Sequence, residues 1–200
     1  MSYLLCHGFG FTNDYWKNLT PLLNDDYEFF DQSQHYEKEY IGIGHSIGFQ
    51  KLNNSGIKFK ALIGLQSFLN FCGTDPQIRK LRLDNINRMI DAFSNAPKKA
   101  LSFFYKFCGH NGNIPIDINL DILIQDLNSM KNSYEHCGVP TLIIGGTNDD
   151  VVSYDIIQNN FSNLQNIQTI SIDINTHTLG YDKPNVVIDL IQKFLKKIEK

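Results

Sequence analysis

Six short apolar runs, separated by stretches of helical periodicity, recur along this 200-residue chain. They lie at Tyr3 to Cys6, Tyr27 to Phe30, Tyr40 to Ile43, Phe59 to Leu65, Thr141 to Ile144 and Ile167 to Ile172. Several are too continuously hydrophobic to have one wet face, as expected of strands that helices cover on both sides. Strands alternating with helices predict an α/β fold built on a doubly wound, mostly parallel sheet of about six strands. With 42% hydrophobic residues the chain can bury one sizeable core, so a single domain over residues 1–200 is expected.

The helical stretches carry their own punctuation. Thr20-Pro21 and Asp75-Pro76 each suit an N-cap followed by Pro at the first helical position. Asn185 to Ile198 places Val187, Leu190, Ile191, Phe194, Leu195 and Ile198 on one face, which predicts a closing amphipathic helix. Between about residues 75 and 137 the strand signal disappears and three helical patterns replace it: Ile78, Leu81, Met89, Ile90 and Phe93; Ala100, Leu101, Phe104 and Cys108; Leu120, Leu123, Ile124 and Leu127. An all-helical insertion in an α/β domain is a candidate cap over a site.

Bulk properties exclude several functions. The net charge of -3 gives no basic balance of the kind that favours a nucleic-acid partner. No apolar stretch approaches the roughly 20 residues of a membrane-spanning helix, and Met1 to Gly8 has neither a basic leader nor a long enough apolar run for a secretion signal. A soluble, cytoplasmic and monomeric protein is expected, without a membrane partner. Cys6, Cys72, Cys108 and Cys137 are irregularly spaced, which favours reduced thiols over a disulfide framework or a zinc site.

Four features follow predicted strands and carry chemistry. Gly44-His45-Ser46-Ile47-Gly48 matches G-x-S-x-G, in which a serine sits on a sharp strand-to-helix turn whose tightness requires flanking glycines. His7-Gly8-Phe9-Gly10 follows the first strand; the N–H groups of Phe9 and Ile47 would together hold a developing oxyanion. Gly145 to Val152 follows the fifth run and offers a carboxylate, Asp149 or its neighbour Asp150, which spacing separates poorly. His177 lies beyond the last strand and completes the chain order Ser, Asp, His. Imidazole titrates near pH ~6.5 when unperturbed, so it can take a serine proton and return it to a leaving alcohol. Each motif alone is also satisfied by an ordinary loop; their common order after successive strands argues for a nucleophile, base and acid set. His35, His45, His110 and His136 occupy no comparable position, and no metal site is expected.

On these residues the sequence resembles the α/β-hydrolase superfamily over nearly its whole length. It is more narrowly similar to the pimeloyl-acyl-carrier-protein methyl ester esterases, through His7-Gly8-Phe9-Gly10 with Trp16, Gly44 to Gly48, the Gly146, Asp149 and Val152 spacing, and His177 ahead of Pro184. The resemblance implies an α/β-hydrolase fold that lacks the first hairpin, and favours Asp149 over Asp150. It also implies cofactor-free hydrolysis of the methyl ester of pimeloyl-acyl carrier protein, with release of methanol, in biotin synthesis. Phe49 departs from the family pattern, where Gly is frequent.

Residues 75–106 carry a net charge of +4 and the rest of the chain -7, so the cap is a basic island on an acidic body. Arg79, Arg82, Arg88, Lys98 and Lys99 are the candidate contacts for an acidic carrier protein, and Phe93, Phe103, Phe104 and Phe107 are candidates to line an acyl channel. The alternatives are a general short-chain carboxylesterase or thioesterase with the same triad, and a non-catalytic acyl-carrier or small-ligand binding protein.

Overall fold

The computed structural model describes residues 1–115 and 119–199; residues 116–118, inside the expected insertion, and residue 200 lie outside the described residues. Six strands form one sheet: β1 (Ser2–Cys6), β2 (Asp26–Phe29), β3 (Tyr40–His45), β4 (Phe59–Leu65), β5 (Thr141–Gly146) and β6 (Ile167–Ile172). Their order is β2-β1-β3-β4-β5-β6, and every pairing is parallel. The expected α/β architecture is therefore present, without an antiparallel strand among the described residues. The inner strands β3 and β5 are buried along their full length, whereas β2 and β6, at the edges, are not. That contrast is why the inner runs read as unbroken hydrophobic segments.

From β1 the chain moves to one side of the sheet to make β2, then returns to the other side for β3 and everything after it. The direction of winding thus reverses between β1 and β3. In open parallel sheets the crevice at such a reversal, beyond the carboxyl ends of the strands, is where ligands bind. The loops that leave β1 and β3 are His7 to Gly10 and Ser46 onward.

Seven helices complete the described fold: α1 (Ile47–Asn53), α2 (Pro76–Asn95), α3 (Pro97–Phe107), α4 (Leu120–Ser129), α5 (Tyr154–Phe161), α6 (Leu179–Asp182) and α7 (Pro184–Ile198). Helix α1 packs on β1, β3 and β4, α5 on β5 and β6, and α7 on β5. Phe49 of α1 is fully buried and meets Phe161 of α5 edge-on at 5.8 Å, so the bulk at this position fills the layer beneath the sheet. None of the described helices is long and apolar enough to cross a membrane.

The segment between β4 and β5 carries α2, α3 and α4, with α2 packed against the other two. Asp75 caps α2 as expected, accepting from the N–H groups of Gln77 and Ile78 at 2.9 Å, with Pro76 in the first turn. Three expectations are corrected. Thr20-Pro21 opens only a 3-10 turn, Thr20–Leu22; Thr20 Oγ1 donates back to the Trp16 carbonyl and caps nothing. Ile78 and Leu81 lie outside the buried stripe of α2, which runs through Ile86 and Phe93. Phe103 and Phe107, one turn apart on α3, are 64% and 61% exposed because the helix turns Leu101 and Tyr105 inward instead.

Candidate active site

Ser46 stands between β3 and α1 with φ 53° and ψ -124°, a conformation that side chains with a Cβ rarely adopt. Its neighbours explain how the chain tolerates it. A Cβ on Gly44 would lie 2.3 Å from the Phe49 backbone, and one on Gly48 would lie 2.2 Å from the Cys6 carbonyl oxygen. Only hydrogen fits at either place, so α1 can fold sharply back over β3 and press against the end of β1. The bend is fixed further by the Ser46 N–H, which donates to the Leu65 carbonyl at 2.9 Å.

Asp149 and His177 meet from loops that follow β5 and β6. His177 Nδ1 donates to Asp149 Oδ2 at 2.7 Å, with both side chains almost completely buried. The other carboxylate oxygen, Oδ1, accepts from the Val151 and Val152 N–H groups at 2.8 and 3.1 Å. Gln66, at the end of β4, donates to the same Oδ2 at 2.7 Å. Four N–H donors on one carboxylate hold it still. Asp150, the rival in sequence, is exposed. With Nδ1 engaged by the acid, Nε2 of His177 is left to act as the base.

The His177 loop is tied to the nucleophile turn through His45, whose Nε2 donates to the His177 carbonyl at 3.0 Å while its ring stacks on Tyr15 at 4.2 Å. Sequence gave His45 no role; here it links the residue before Ser46 to the candidate base. Burial, reinforced by the neighbouring His177 ring, holds His45 well below the usual imidazole range, so it is neutral and a single donor. Ser46 Oγ is not hydrogen-bonded to His177 among the described residues; such contacts commonly tighten only around substrate.

Gly8 packs directly on the nucleophile turn, since a Cβ there would lie 3.1 Å from Ser46 Cβ. Among the described residues the N–H groups of Phe9 and Ile47 donate to no backbone acceptor, as candidate oxyanion donors must. Phe9 meets Phe93 of α2 and Phe104 of α3 edge-on, at 5.3 and 5.0 Å. Those two of the four candidate channel phenylalanines therefore approach the loop, whereas Phe103 and Phe107 face away from it. Two bonds fasten α3 over this corner: Tyr105 Oη donates to the Gly10 carbonyl at 2.9 Å, and the His177 N–H donates to the Cys108 carbonyl at 2.8 Å. The result is a nearly sealed site, with Ser46 4% and His177 2% exposed.

The candidate carrier contacts divide. Arg88, Lys98 and Lys99 are exposed. Arg79 instead donates to the Lys131 carbonyl and Arg82 to the Phe71 carbonyl, the latter at 2.9 Å, so these two staple α2 to neighbouring loops. A groove of about 640 Å³ lined by residues such as Asn70, Tyr134, His136 and Asn160 opens elsewhere and includes none of the site residues above. The Asn160 amide in its lining is engaged by the backbone of Leu69, Asn70 and Ile156. All four cysteines are unpaired, and among the described residues no His, Cys, Asp and Glu cluster is arranged to hold a metal ion.

No family model matches the chain, and no curated protein matches it in sequence. Solved structures do match in shape. An esterase from Exiguobacterium antarcticum superposes with a TM-score of 0.79 at 14% identity, over 98% of this chain and 92% of that one. A lipase-esterase related protein from Clostridium acetobutylicum gives 0.73 at 14%, over 96% and 93%. MenH from S. aureus gives 0.68 at 15%, over 100% and 95%. An alpha/beta hydrolase enzyme from a deep-sea metagenome matches with a TM-score of 0.62 at 14% identity, over 98% and 89%. At these identities the likeness fixes the fold: the chain has the α/β-hydrolase fold.

Proposed function

We propose that this protein is a serine carboxylesterase. The observation that carries the reading is the 2.7 Å His177–Asp149 bond beside a serine held at φ 53° at the winding reversal of the sheet. Ser46 Oγ attacks the ester carbonyl carbon while His177 Nε2 takes the hydroxyl proton, and the carbonyl oxygen becomes an anion facing the Phe9 and Ile47 N–H groups. Collapse of the tetrahedral intermediate breaks the bond to the alkoxy oxygen, which leaves with the proton from His177 as an alcohol. Water then repeats the sequence on the acyl-serine, freeing the acid and regenerating Ser46. Asp149 keeps the ring in the tautomer that bares Nε2 and stabilises the imidazolium formed in each half.

For the substrate we favour the methyl ester of a pimeloyl group on acyl carrier protein, with methanol as the leaving alcohol. Two things support it: the motif set shared with those esterases, and the exposed Arg88, Lys98 and Lys99 on a cap that is basic against an acidic body. A second reading, a general short-chain esterase, is favoured by the tight packing of Phe93 and Phe104 on Phe9, which leaves little width for a long acyl chain.

A fluorophosphonate probe should label Ser46, and Ser46→Ala should abolish labelling and lower kcat by roughly 10³- to 10⁶-fold with folding intact. A folded wild-type chain that resists the probe would defeat the proposal and favour a ligand-binding role. Rescue of a biotin auxotroph lacking its pimeloyl esterase, by the native gene and not by the Ser46→Ala form, separates the two substrate readings.

A further inference from the structure

Gln66 lies at the end of β4 and none of the four sequence motifs includes it, yet its side chain bonds to Asp149 and to the chain on both sides of His177. It is fully buried, and its backbone has φ 49°, a left-handed value that a residue with a Cβ rarely holds. The backbone N–H donates to the Ile144 carbonyl at 2.7 Å, which fixes the strained residue to β5. From there the amide reaches three partners: Nε2 donates to Asp149 Oδ2 at 2.7 Å and to the Thr176 carbonyl at 2.6 Å, and Oε1 accepts from the Leu179 N–H at 2.8 Å.

The orientation of this amide is forced. Leu179 N–H can only donate and the Thr176 carbonyl can only accept, so oxygen and nitrogen cannot exchange places. Thr176 and Leu179 flank His177 in the chain, and Asp149 is the partner of its ring. One amide therefore joins the loop carrying the acid to both sides of the base. Gly146 keeps the space open, since a Cβ there would lie 3.3 Å from Gln66 Nε2.

We infer that Gln66 is a positioning residue for the proposed hydrolase reaction: it sets the angle at which His177 meets Asp149 and tempers the carboxylate on which His177 depends. This inference rests on the reading of Ser46, His177 and Asp149 as a catalytic set. The electrostatic part follows from sharing one oxygen. Asp149 Oδ2 accepts from Gln66 and from His177 at the same time, so part of its negative charge is satisfied by the neutral amide. Removing that donor leaves the carboxylate more basic, and a more basic carboxylate stabilises the protonated imidazole. The base then holds its proton to higher pH, and activity is lost at a higher pH on acidification.

Gln66→Met keeps the length and volume of the side chain while removing its hydrogen bonds. The expected result is a kcat lowered by up to roughly 100-fold, a KM changed by less than about three-fold because Gln66 does not touch substrate, and an acidic limb of the kcat/KM profile moved up by roughly half a pH unit to one unit. A variant that melts earlier but keeps its pH profile and its probe-labelling rate per folded molecule overturns the inference and leaves Gln66 a packing residue. Because Gln66→Met may be read only in folded protein, a measurement on the wild type stands beside it. With ¹⁵N-glutamine labelling, the Gln66 amide protons should shift through the same pH midpoint as the acidic limb; protons that ignore that midpoint overturn the inference. Should the wild type be inert to ester and probe, the hydrolase reading falls, while the amide protons still report whether Gln66 senses the ionisation of His177.

Discussion

Asp149 accepts hydrogen bonds from His177, Gln66, Val151 and Val152, which makes it the residue least able to accept an isosteric change. An asparagine there must turn its NH₂ toward at least one of those donors. Asp149→Asn should lower kcat by about 10⁴-fold, through the wrong tautomer of His177, and should also cost stability because a buried donor loses its acceptor. Steady-state kinetics alongside a urea titration separate the two effects. The serine and the histidine are legible from spacing, since each follows a recognisable strand, whereas spacing leaves the acid between Asp149 and Asp150 and the family resemblance favours Asp149. Gln66 is not legible, because glutamine has no motif of its own and its three partners lie 83 or more positions away in the chain.

Among the elements, α1 owes its position to what its glycines lack. Gly48→Ala would place a methyl group 2.2 Å from the Cys6 carbonyl oxygen, a rigid backbone atom, so α1 must retreat from the end of β1. The expected cost is about 1–3 kcal/mol, seen as a lower Tm, together with a loss of the proposed esterase rate larger than the fraction unfolded because Ser46 moves with the helix. Strand boundaries were legible where the apolar run itself sets them: β4 and β6 fall where their apolar runs do. β3 and β5 run two residues further than expected, through Gly44-His45 and Gly145-Gly146, because glycine carries no hydropathic signal yet is what the crowded strand ends require. The outward faces of α2 and α3 misled in the opposite way. Ile78, Leu81, Phe103 and Phe107 are apolar and helically spaced, but each is exposed, and periodicity alone does not say which of two apolar stripes meets the core.

At the scale of the whole molecule, several histidines are wholly or partly buried. Burial holds His7, His45, His110 and His136 below the ordinary imidazole value of 6.5. A group with a depressed folded value takes up its proton in the unfolded chain first, so stability is full above about pH 6.5 and declines as pH falls below it, most of all through the fully buried His45. Urea midpoints should therefore be lower at pH 5.5 than at pH 7.5, and His45→Gln, which can keep a donor to the His177 carbonyl, should flatten that slope. The doubly wound sheet was legible from the alternation of its runs, and a helical cap was expected from residues 75–137, whereas which of its helices meets the Gly10 and His177 loops was not, because that depends on how they settle on distant parts of the chain. α3 roofs the crevice, and the same helix end supplies the carbonyl that anchors the His177 backbone. Lifting the roof would loosen the base, so an open molecule is a disarmed one: admission of substrate and readiness to react become a single variable, and changes that widen the entrance should be felt in turnover as well as in affinity.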